Sequence, residues 1–91
     1  MNAALPGHDL IEAGLRDLQD GRETVAALLV AIGAPRLRQL GIELPDQLPG
    51  NPEHRLYALL EKDGPDSAHT RYNALIRRLV SFERAAECAS Q

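Results

Sequence analysis

The chain has 91 residues, 10 Lys+Arg against 13 Asp+Glu, and a formal net charge of −3. That length allows one domain, and a hydrophobic content of 44% with so small a net charge excludes a disordered chain. The single cysteine excludes a disulfide-stapled scaffold, and the mildly acidic balance argues against a protein built to coat nucleic acid or anionic membrane.

Leu (15) and Ala (13) dominate while aromatics make up only 3%, so the expected core is aliphatic and the expected elements are helices. Arg outnumbers Lys nine to one, which fits a GC-rich bacterial genome. The stretch Met1–Leu10 has neither a basic start nor a continuous apolar run, and the longest uncharged apolar run, Thr24–Pro35, falls short of the ~18 residues a membrane span needs. With a lone thiol at Cys88, the expected compartment is the cytoplasm.

In chain order, residues 1–7 are expected to be a flexible lead. Leu10, Ile11, Gly14, Leu15 and Leu18 repeat at three- and four-residue spacing, which predicts a first helix over His8–Asp20. Gly21 follows, where a helix end favours a residue that tolerates positive φ. Asp20 and Glu23 have capping-box spacing and predict a second helix directly after it, forming an antiparallel hairpin. That helix, Thr24–Ala34, places Val25, Leu28, Leu29 and Ile32 on one face and Ala26, Ala27, Val30, Ala31 and Ala34 on the other. Pro35 either kinks it or opens a short helix over Arg36–Leu40, closed by Gly41.

The stretch 41–51, with Pro45 and Pro49, has no periodicity and predicts a loop anchored by Ile42, Leu44 and Leu48. Asn51 as N-cap, Pro52 at the first position and Glu53 at the positive dipole end predict a further helix, ended by Gly64, with Leu56, Tyr57, Leu59 and Leu60 inward. Asp66 or Ser67 caps the last helix, which runs to about Ala89. Projected at ~100° per residue, Tyr72, Leu75, Ile76, Leu79, Phe82 and Ala86 share its inner side, and Asn73, Arg77, Ser81, Arg84 and Cys88 lie opposite. The expected architecture is one all-α domain, a bundle of four main helices plus a short one joined by antiparallel hairpins.

Chemistry is sparsely signposted. A helix without charge between Glu23 and Arg36 is either packed on both sides or presents its small-residue face to a partner, which makes Ala27, Val30, Ala31 and Ala34 the candidate docking residues. Arg71, Arg77, Arg78 and Arg84 form a positive strip suited to steering an acidic protein or to contacting nucleic acid. A helix-turn-helix over Leu28–Ile42 is poorly supported, because Leu29 stands where close helix crossing needs a small residue. Asp66 and His69 offer two metal ligands where a stable site needs three or four, and the neighbours Ser67 and His69 lack an orienting partner. The expected function is therefore a non-catalytic protein–protein interaction module, a subunit, adaptor or regulator, engaging a protein partner or a second copy of itself. The other reading is nucleic-acid binding through the last helix. No cofactor, metal, membrane or small-molecule substrate is expected.

Overall fold

The computed structural model describes residues 5–89, and in them the fold is all-α. The helices are α1 (His8–Gln19), α2 (Val25–Ile32), α3 (Ala34–Gln39), α4 (Pro52–Asp63) and α5 (Ala68–Ala89), and no strand occurs among the described residues. Of the expected lead over 1–7, residues 1–4 lie outside the described residues, while Leu5 is packed against the core.

The first corner differs from expectation in its cap. Asp20 does not open α2; it closes α1 in a right-handed conformation, and Gly21 turns the chain at φ 76°. The N-cap of α2 is Thr24, whose hydroxyl accepts from the Ala27 N–H at 3.1 Å and donates to the Asp17 carboxylate at 2.7 Å. Thr24 takes the role because one hydroxyl serves both helices, and Glu23 is left to pair with Arg55 of α4. The Asp17–Thr24 contact and the approach of Gly14 to Ala26 and Val30 run in opposite chain directions, so α1 and α2 are antiparallel.

Gly33 ends α2, and Pro35 lies in the first turn of α3, so the proline opens a new helix after a corner and does not kink a long one. Leu40 closes α3, and the following loop is tied back by Ile42 N–H to the Leu37 carbonyl (3.0 Å) and Arg38 to the Pro45 carbonyl (3.1 Å). Ile42 and Leu44 pack on the core, and Leu48 is half-buried. Asn51 occupies the N-cap of α4, but its side chain caps nothing; it contributes a left-handed turn at φ 51°, which Asn tolerates. Arg71 of α5 bonds Asp63 of α4 at 2.8 Å across the last corner.

The core forms around α2, which packs against α1, α4, α5 and α3. Leu28, Leu29, Val30, Leu37, Leu56 and Leu60 are its largest fully buried side chains, and no polar or charged residue is buried among the described residues. On α5 only Ala68, Leu79 and Phe82 are buried. At 22 residues α5 is about 33 Å long, and most of its residues are half-buried or exposed. No helix among the described residues is long and apolar enough to cross a membrane.

Candidate functional site

The small-residue face of α2 is not a docking surface. Ala27 and Val30 are 0% exposed, Ala31 6% and Ala34 2%, all within this chain's own fold. The expectation that these four residues meet a partner is therefore corrected. The cause is Gly14: lacking a side chain, it lets α1 lie directly on the Ala26–Val30 ridge, where a β-carbon would stand 2.3 Å from the Ala26 carbonyl oxygen. α4 and α5 pack on the helix as well, so both of its faces are used inside the monomer.

The arginines divide into two groups. Arg71 is half-buried and held by Asp63, so it belongs to the α4–α5 corner and not to a free strip. Arg77, Arg78 and Arg84 are exposed and form no hydrogen bond or ion pair among the described residues. Arg77 and Arg84 are seven residues apart and share one line of α5, about 10 Å along the axis, with Arg78 on its flank. Between them lie Ser81 and Val80, the latter 37% exposed and the one exposed large hydrophobic among the described residues.

Both acidic residues of α5 lie toward Arg36 of α3. Glu87 is bonded to Arg36 of α3 at 2.6 Å. Glu83 leans over the α2–α3 corner, its carboxylate 3.0 Å from where a β-carbon on Gly33 would sit. Burial pushes the Glu83 carboxyl above its ordinary value, partly offset by the Arg36 guanidinium. A carboxyl raised in the fold holds its proton more tightly folded than unfolded. Its stabilising contribution is thus complete below its unfolded pKa and is lost as pH rises through the folded one. Glu83→Gln is expected to remove that fall and to give a slightly higher melting temperature than the parent at neutral pH. A Tm profile over mildly acidic to neutral pH checks it; a variant that melts lower across the range contradicts it.

Both α3 arginines are engaged, Arg36 by Glu87 and Arg38 by the Pro45 carbonyl, which leaves α3 without a free basic side for reading DNA. The Ser67 hydroxyl donates to the Gly64 carbonyl at 3.3 Å, while the His69 ring meets Asn73 at 3.2 Å, so this neighbouring pair is not joined as nucleophile and base. No group of three or more His, Cys, Asp or Glu residues converges on a metal position among the described residues. Two open clefts of about 290 and 270 Å³ lie beside the Glu23–Arg55 pair and between α1 and Phe82.

Two features escaped the sequence reading. The crossing at Gly14 had a signal, a glycine inside an apolar stripe facing an Ala-rich helix. The second is a ring contact between Tyr57 and Tyr72, centroids 5.6 Å apart at 57°, between residues expected only to face the core. Compared with family models, curated proteins and solved structures, the chain matches none.

Proposed function

We propose that the chain is a non-catalytic interaction module that docks an acidic protein surface on the exposed face of α5. The observation that carries this reading is the set Arg77, Arg78 and Arg84, three exposed guanidinium groups without an internal partner on a chain of net charge −3. Arg pairs with carboxylates through a rigid two-pronged fork, and Val80, exposed beside the Arg77–Arg84 line, supplies an apolar contact. A second copy fits this face poorly. An isologous pair sets the same patch against itself, and arginines would meet arginines. A cytoplasmic setting suits the single exposed thiol, Cys88.

Nucleic-acid binding is the second reading, since the same arginines would neutralise phosphates. It is less favoured because Phe82 is buried and Tyr72 half-buried on the inner side of α5, so neither stands beside the strip as a platform for base stacking.

The test titrates polyglutamate and a mixed-sequence oligonucleotide at low salt against the parent and the triple variant R77E/R78E/R84E. All three side chains are exposed, so the variant is expected to fold. The parent is expected to bind polyglutamate more tightly than the oligonucleotide, with a loss of roughly tenfold or more in the variant and weakening by added salt. Tighter oligonucleotide binding that the variant loses favours the second reading. Absence of binding to either polyanion removes both.

A further inference from the structure

We propose that the cleft between α1 and α5 binds a free alkylphenol, a single hydroxylated ring carrying a few carbons. The site shares no residue with the arginine strip. α1 and α5 both pack on α2, and the cleft opens between them with a volume of about 270 Å³. Gly7 turns the chain at φ 77° just ahead of α1. A β-carbon there would stand 3.2 Å from the Arg78 carbonyl oxygen and 3.7 Å from Phe82 Cβ, so this turn rests on α5. It thereby brings Leu5 and His8 to the same cleft as Phe82. Ile11 and Phe82 line the cleft yet are only 2% and 4% exposed, so they form its floor. Leu5, Leu15 and Ile42 are half-buried walls, while half-buried His8 and exposed Glu12 make a polar mouth.

Size and lining select the body of the ligand. An apolar cavity of about 150 Å³ walled by Leu, Ile and Phe already holds a benzene ring, and the larger volume here adds room for a short branched substituent. An apolar lining with a few placed polar groups is the usual make-up of a small-molecule site. The mouth selects the polar group. His8 Nε2 and Glu12 Oε2 stand 3.6 Å apart, beyond direct hydrogen bonding, and neither side chain forms a hydrogen bond among the described residues. A hydroxyl placed between them donates to the carboxylate and accepts from the imidazole N–H. The Glu12 charge repels a ligand carboxylate, and Arg16, 3.7 Å from Glu12 Oε1, repels a ligand ammonium. A phenol donates more strongly than an aliphatic alcohol, and its ring suits the Phe82 ring at the floor. With the hydroxyl held at the mouth, the rest of the ligand points inward. A partner's tyrosine would have to bury its main chain there, so the ligand is a free molecule.

Isoleucine methyl resonances report the site, because Ile11 and Ile42 line the cleft while Ile32 and Ile76 do not. The probe 4-isopropylphenol is titrated into the parent and Glu12→Gln, beside its methyl ether, which cannot donate. Glu12 is exposed, and the substitution keeps its shape, so the variant folds. The expected result is a saturable shift, larger at Ile11 and Ile42 than at Ile32 and Ile76. The methyl ether is expected to bind more weakly by roughly tenfold, and Glu12→Gln to lose several-fold in affinity for the phenol. A parallel titration with N-acetyltyrosinamide separates the occupants. Weaker binding than the phenol supports a free ligand, and tighter binding gives the cleft to a partner's tyrosine and overturns the proposal. It is also overturned by a non-saturating response, by equal shifts at all four isoleucines, by equal binding of the methyl ether, or by a Glu12→Gln variant that binds as the parent does.

Discussion

Replacing Gly14 with alanine is expected to destabilise the fold by on the order of 2–3 kcal/mol, although alanine is the better helix former by about 1 kcal/mol. The sign reverses because of what the added methyl meets. Its carbon would stand 2.3 Å from the Ala26 carbonyl oxygen, 2.8 Å from the carbonyl carbon and 2.5 Å from a methyl of Val30. Two of those atoms are backbone within α2 and cannot rotate away, so the two helices must separate. Separation loosens the packing of Val30, which faces Gly14, and of the α1 residues that lie on the core, Ile11, Leu15 and Leu18. A domain of this size holds only a few kcal/mol in reserve, so the loss is a large share of its stability. Urea denaturation gives the readout, as a lower midpoint with an unchanged slope. Gly50→Ala is the control, since a β-carbon there meets nothing within 4 Å, and its midpoint is expected to stay close to the parent's. A Gly14→Ala midpoint at or above the parent's contradicts the close crossing.

The contrast between Gly21 and Gly14 shows what was readable from the chain alone. Gly21 answers a local demand, a positive φ just after a helix, and local demands are written beside the residue that meets them; Pro52 and Gly64, which bound α4, are of the same kind. Gly14 answers a demand made by α2, twelve residues away, and its meaning appears only when Ala26 and Val30 are set against it. The cap of α2 has the same logic. Asp20 and Glu23 have suitable spacing, but Asp17 reaches Thr24 from the other helix and settles the choice. Arg71 reads as one of four similar arginines until the turn 64–67 folds it onto Asp63. The tyrosine pair joins residues 15 positions apart on different helices, and no periodicity within either helix points to it. On the surface, Arg77 and Arg84 were legible, because a helix projection suffices for side chains that nothing else touches.

The same reasoning gives Val30→Asp the largest expected effect, loss of the folded state at neutral pH. Val30 is 0% exposed, sits where α1 crosses α2, and has no buried polar neighbour to receive a charge, since the described core holds none. An unpaired carboxylate there costs several kcal/mol of desolvation even after relaxation, and the lost valine contacts add to it. That sum matches or exceeds the stability of a domain this small. The experiment separates two roles for an uncharged helix. If α2 served to join two copies, an aspartate on its small-residue face would release folded monomers that keep their circular dichroism and cooperative melt. If α2 is the monomer's own centre, the variant loses helical signal and its cooperative transition together, with no folded species of lower mass. The second outcome is expected, because α1 already occupies the place a partner helix would take. Val30→Ala in parallel keeps the test graded, with an expected loss of about 2 kcal/mol and a cooperative melt retained. A folded, monomeric Val30→Asp protein would reopen the small-residue face of α2 as a surface.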